Sequence, residues 1–179
     1  MSPKSLLLFV VAAVLFTGCP KSDDNPVTPD GGPGATPRTP VPAKFVGTWY
    51  TGSVSLSNFY NSTTGHWSNA VGNGSFYRFS QDGTFEFGWQ MHVSLYGCTN
   101  IGMVYRRGTV SVQDSVLVLY DQYSRVMGQD NCNASQNYEK PGATTTETLV
   151  AQPGLDEWGN PGLYLRGLET TYSWFLLQQ

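Results

Sequence analysis

Few side chains in this chain are of a type and spacing that could do chemistry. The histidines are His66 and His92, and neither stands in an HExxH pair. No G-x-S-x-G, phosphate-binding glycine loop or paired CxxC is present. Asp156 and Glu157 are adjacent, so in extended chain they point to opposite sides and cannot act as a glycosidase pair. A pair drawn from distant strands, such as Glu86 with Asp121, is neither argued for nor excluded by spacing. Arg106 and Arg107 are consecutive, so one can enter a β interior, to pair with Glu86 or to hold an anionic headgroup, while the other is solvated. Catalysis, a cofactor and a bound metal are therefore not expected. What remains is binding chemistry, carried by aromatic, thioether and hydroxyl side chains.

The element that must position those groups is Thr84 to Tyr96, TFEFGWQMHVSLY. Phe85, Phe87, Trp89, Met91, Val93 and Leu95 fall on every second residue, the period of a strand with one buried face and one face toward water or a polar lumen. Phe85, Phe87, Trp89 and Met91, with Arg106, are the candidate ligand-lining residues; they either line a void or fill a core. Around this strand the pattern predicts others: from Lys44-Phe45-Val46-Gly47-Thr48-Trp49-Tyr50, a short one at His66-Trp67, and Ser75 to Ser80, turning through Gln81-Asp82-Gly83 into the long strand. Ile101 to Val112, Val116 to Tyr120, Glu147 to Ala151, Gly162 to Leu168 and Thr171 to Gln178 complete the set, the last two joined at Glu169-Thr170. Tyr123 to Thr145 and Gln152 to Pro161 read as long polar connections. The expected fold is all-β: an antiparallel up-and-down meander of eight or nine strands closing into a barrel, with a β-sandwich as the alternative.

The N-terminus reads as an export signal. Lys4 precedes the apolar run Leu6 to Phe16, shorter than the ~20 residues that span a bilayer. Its end, Leu15-Phe16-Thr17-Gly18-Cys19, resembles a bacterial lipobox, which implies cleavage after residue 18 and acylation of Cys19, palmitate-type chains included. Several acyl chains at ~0.8 kcal/mol per buried methylene anchor a protein without a transmembrane helix. Pro20 after the cysteine, in place of the Asp that marks inner-membrane retention in enteric-type lipoproteins, points to the outer membrane. Residues 20–43 hold Pro20, Pro26, Pro29, Pro33, Pro37, Pro40 and Pro42 of the chain's 11 prolines and show no apolar period, so they read as a disordered tether of up to ~70 Å. Residues 44–179 form one domain. The chain carries a net charge of −3 and no basic stripe, which argues against nucleic acid as a partner. With Cys19 acylated in an oxidising compartment, Cys98 and Cys132 are expected to form a disulfide.

Gly47-Thr48-Trp49-Tyr50 resembles the G-x-W motif that opens the first strand of lipocalins, and Phe79-Ser80-Gln81-Asp82-Gly83-Thr84-Phe85 resembles the F-x-x-D-G-x-F hairpin of lipocalin-like domains in bacterial envelope proteins. The resemblance implies that Gly47 and Trp49 close the barrel base, that Arg166 is the candidate arginine over the tryptophan, and that the barrel is a cup for a small apolar molecule.

Three functions follow as expectations. The first is a monomeric, membrane-anchored lipoprotein whose barrel binds a small apolar or amphipathic molecule. The second is a cell-surface carbohydrate- or protein-binding module, inhibitor-type barrels included, using the aromatics Trp67, Tyr123, Tyr138 and Trp158 as a stacking platform. The third is a structural envelope protein without a ligand.

Overall fold

The computed structural model describes residues 36–69, 71–167 and 173–178. The export signal, Cys19 and most of the tether lie outside them, as does the turn at Glu169-Thr170.

Alternation forces Phe85 and Phe87 to one face of the long strand, and a closed sheet is what covers that face. In chain order the strands are β1 (Gly47–Gly52), β2 (Tyr60–Asn61), β3 (His66–Trp67), β4 (Gly74–Phe79), β5 (Thr84–Leu95), β6 (Cys98–Gln113), β7 (Val116–Asp130), β8 (Tyr138–Pro141), β9 (Thr146–Leu155), β10 (Pro161–Gly167) and β11 (Ser173–Leu177). The main sheet runs β6-β5-β4-β1-β11-β10-β9-β7-β8, and a further β6–β7 pairing closes it. This is a closed eight-stranded antiparallel barrel with β8 as an extra strand, of the lipocalin-like kind. Closure rules out the sandwich, because β6 and β7 pair from Asn100↔Asp130 to Gln113↔Val116 with one register shift.

The barrel is filled. Phe45, Trp49, Tyr77, Phe79, Phe85, Val110, Leu117, Leu119, Leu149, Ala151, Leu163, Leu165 and Phe175 pack as one core, each buried Val, Leu and Phe side chain contributing ~1.5–3 kcal/mol by leaving water. The Trp49 indole N–H donates to the Phe45 carbonyl at 2.7 Å, fixing the ring within this core. Arg166 alternates to the opposite face from Leu163 and Leu165, which lie in the core with Trp49.

Where the structure departs from the sequence reading, the reason is local. The fold begins before Lys44: Thr39 N–H donates to the Val110 carbonyl, Val112 N–H donates to the Thr39 hydroxyl, and Val41 N–H donates to the Gln81 carbonyl, so this end of the proline-rich segment is strapped to the barrel. β1 starts at Gly47 because 43–45 form a turn. Tyr123 to Thr145 is not a loop. β7 runs on to Asp130 and β8 pairs beside it at Arg125↔Pro141 through Gly128↔Tyr138. β9 likewise continues to Leu155, and its Pro153 is tolerated because β7 pairs with β9 only over Thr146–Val150, leaving that side without a ladder to break.

Of the alternate residues of the long strand, Gly88 and Gln90 are buried against a covering segment and not open to water or a lumen. Residues 53–73, between β1 and β4, cross the outer wall, and Phe59, Tyr60 and Trp67 form a second core there with Phe76, Met103, Tyr105 and Met127. Gly88 is required beneath it, since a Cβ would run into the Phe76 ring. Gln90, 1% exposed, pins the crossing segment by donating to the carbonyls of Ser53 at 3.1 Å and Val71 at 2.7 Å.

Candidate ligand-binding surface

β5, β6 and β7 are longer than the barrel needs. With 12, 16 and 15 residues they outrun β4 and β9, and their far halves, joined by β8, stand beyond the barrel as an open sheet. Opposite Arg107 and Gly108 a β-bulge leaves Gln122 as the extra residue of β7 where the extension begins, and only glycine fits at 108, because a Cβ would strike the Tyr120 carbonyl. The disulfide Cys98–Cys132, separated by 34 residues, ties the ends of β6 and β7 at the tip.

The inner stripe of β5 follows that extension out of the core. Phe85 is 2% exposed and Phe87 packs against the core, whereas Trp89 is 36%, Met91 38%, Val93 44% and Leu95 63% exposed. Of the candidate lining residues, Phe85 and Phe87 therefore fill the barrel, and Trp89 and Met91 lie on the shelf above it. The shelf floor is made of glycines: Gly102 pairs with both Met91 and Gly128. A Cβ at Gly102 would sit 3.3 Å from the Trp89 ring, and one at Gly128 would run into the Tyr138 ring. Both rings thus occupy the space that a side chain at these glycines would need. A cleft of about 400 Å³ opens beside them, bordered by Met91, Gly102, Gly128, Gln136 and Tyr138.

Between the filled core and the shelf sits a charged cluster. Arg106 enters the barrel, as one of the two arginines was expected to, but it does not pair with Glu86. Its Nη2 donates to Glu147 Oε2 at 2.7 Å and its Nη1 to Asp121 Oδ2 at 3.5 Å, with the guanidinium 4.4 Å from the Phe87 ring centroid. Burial disfavours the charge on Arg106, but the Glu147 hydrogen bond and the Glu147 and Asp121 charges outweigh it and leave its pKa raised. Asp121 Oδ2 also accepts from the Thr145 backbone N–H and hydroxyl, at 3.1 and 3.0 Å. One cation faces two carboxylates, so Arg106 is committed and does not offer itself to an anionic headgroup. Glu86 is on the outer wall, paired with Arg78 at 2.6 Å, so Glu86 and Asp121 stand on opposite faces and form no carboxylate pair.

The expected aromatic platform does not assemble. Trp67 and Tyr123 are built into the outer core, the Tyr60 and Tyr123 hydroxyls sharing a hydrogen bond at 2.9 Å. Tyr138 is on β8, and Trp158 stands 77% exposed in the β9–β10 turn. Sequence reasoning missed Tyr138 as a shelf residue and Glu147 as an interior charge. The second was findable, because Glu147, Leu149 and Ala151 alternate onto one face. Compared with family models, curated proteins and solved structures, the chain finds no match.

Proposed function

We propose that this is a lipid-anchored envelope lipoprotein, held through acylated Cys19 and sited at the outer membrane, that uses its filled barrel as a rigid support. The open inner face of the β5–β8 extension binds one small apolar or amphipathic molecule. The lipocalin likeness is then one of architecture, with the ligand on the rim and not in a cup. The observation that carries this reading is the exposure gradient along β5: an apolar stripe that is core at Phe85 becomes surface at Trp89, Met91, Val93 and Leu95 with no change of residue type. Contiguous exposed apolar surface of this sort marks interaction sites in soluble domains. The acidic excess of the Arg106–Asp121–Glu147 cluster beneath it favours a neutral or cationic polar end over an anionic one.

The test is titration of the full-length protein with the apolar dye N-phenyl-1-naphthylamine. Saturable fluorescence enhancement, lost in Val93→Asp and weakened in Trp89→Ala, is the expected result. Equal enhancement in wild type and Val93→Asp would refute the shelf.

A further inference from the structure

The apolar stripe of β5 runs past the shelf to the end of the hairpin that joins β5 to β6. Leu95 pairs with Cys98, and Tyr96 and Gly97 make the turn between them, Tyr96 being 96% exposed. Tyr96 has φ +51° and Gly97 φ +81°, two successive left-handed residues as in a type I′ turn, where Asn-Gly is the unstrained choice. A bulky ring held in that region strains the backbone, and at a solvated tip it gains no packing in return. An exposed aromatic kept in a strained turn is retained for what it touches.

The surroundings of Tyr96 say what that is. From Phe87 to Tyr105 the hairpin carries no Asp, Glu, Lys or Arg. Polar groups at the tip bond one another: the Ser94 and Thr99 hydroxyls share a hydrogen bond at 3.0 Å, and the Thr99 N–H donates to Asn131 Oδ1 at 2.6 Å. Beside them the Asp130 carboxylate accepts from the Cys132 and Asn133 N–H groups at 2.8 and 3.0 Å, and Lys140 stands back from the tip, opposite Val126. Such a tip leaves water at little polar cost, and its Tyr and Trp rings have the amphipathic build that settles at a membrane–water boundary. A protein partner is the less favoured occupant, because the hairpin offers no charge to select one.

The layout of the chain brings a bilayer within reach. Thr36, the first described residue, is held at the barrel wall, its hydroxyl oxygen accepting from the Thr109 hydroxyl at 2.7 Å and from Gln122 Nε2 at 2.8 Å. From Thr109 to Cys98, at the tip, β6 covers ~36 Å at ~3.3 Å per residue. Residues 19–35 can cover ~50 Å at ~3.1 Å per residue, so the tip can meet the bilayer in which Cys19 is held. We propose that Leu95 and Tyr96 dock the β5–β6 tip into the headgroup–acyl boundary of that bilayer, so that the shelf opens at the lipid surface. This rests on the reading of Cys19 as an acylated anchor and of the shelf as the binding surface.

The experiment uses the full chain, processed in a bacterial host and labelled with 3-fluorotyrosine, in phosphatidylcholine nanodiscs with and without a lipid that carries a nitroxide at its headgroup. The Tyr96 19F line is assigned through Tyr96→Phe. The expected result is loss of the Tyr96 line to paramagnetic broadening while the Tyr164 line, from β10, persists. Co-elution with the nanodisc reports the anchor and dye binding reports the shelf, each separately from the Tyr96 line. Tyr96→Asn, which the turn accepts without strain, should raise the urea midpoint. It should also abolish the slowing of Gly97 amide exchange that nanodiscs cause in the wild type. A Tyr96 line that survives the nitroxide lipid or broadens no more than that of Tyr164, or Gly97 exchange slowed equally in Tyr96→Asn, would overturn the proposal.

Discussion

The Arg106 guanidinium lies 2.7 Å from the Glu147 carboxylate and covers the Phe87 ring at 4.4 Å, forming a charged layer across the barrel where its filled core ends. Below it the interior is aliphatic and aromatic; above it the same strands are open to solvent. This layer explains why the apolar stripe of β5 changes role between Phe87 and Trp89.

Breaking the layer from its cationic side should cost most. Arg106→Leu leaves Asp121, whose side chain is 1% exposed, and Glu147 facing each other uncompensated, and is expected to destabilise by about 3 kcal/mol. Glu147→Gln, at a side chain 31% exposed, should cost about 1 kcal/mol. Urea unfolding midpoints at pH 7 check both, and equal costs would contradict the asymmetry.

Alkaline pH should destabilise the fold through two tyrosines. Burial, and then the Glu147 charge, hold the Tyr77 phenol well above its ordinary 10.0, and burial, then the Glu86 charge, pushes Tyr105 up to about 12. Both folded values are raised, so the folded chain keeps protons that the unfolded chain releases. The stabilisation is complete below about pH 10 and is lost as pH rises through the folded values, by up to ~1.4 kcal/mol per pH unit for each tyrosine. Tyr77→Phe should flatten the fall in urea midpoint above pH 10. An unchanged slope would show that Tyr77 ionises as freely folded as unfolded.

Reduction of Cys98–Cys132 should act on the extension and spare the barrel. The chain-entropy contribution of such a loop is ~3–4 kcal/mol, and it falls on the strands that the bridge ties. Hydrogen exchange after reduction should quicken at residues 98–104 and 124–130 while residues 76–79 and 117–119 keep their protection. Uniform acceleration would mean that extension and barrel unfold together.

Much of this architecture is legible in the sequence. The period of two from Phe85 to Leu95 and the Asp82-Gly83 turn each follow from local rules, and in the turn the Asp82 carboxylate accepts from the Thr84 N–H and hydroxyl. The site is less so. Tyr123 to Asp130 hides as a strand because its outward residues, Tyr123, Arg125 and Met127, face a wrapped core, so neither face is uniformly polar. That core is itself invisible locally, since Phe59, Tyr60 and Trp67 are scattered among Asn, Ser, Thr and Gly without a period. Arg106 meets Glu147 only across β7, through a register displaced by the bulge at Gly108, which no single-strand pattern encodes.

Ligand charge should sort on the shelf. The cluster beneath it holds one guanidinium and two carboxylates, so dodecyltrimethylammonium should displace N-phenyl-1-naphthylamine at lower concentration than dodecyl sulfate, both used below their micellar concentrations. Glu147→Gln should narrow the difference. The reverse preference would mean that Lys140, whose Nζ lies 5.1 Å from the Tyr138 ring centroid on the shelf face, and not the cluster, decides the charge of the ligand.

The most direct test is native mass spectrometry of the full-length protein isolated from its native host, wild type beside Trp89→Asp. The account predicts a reproducible non-covalent adduct on the wild type that leaves on organic extraction, and its absence from a variant that keeps the disulfide and folded charge states. An adduct carried equally by both proteins would contradict it.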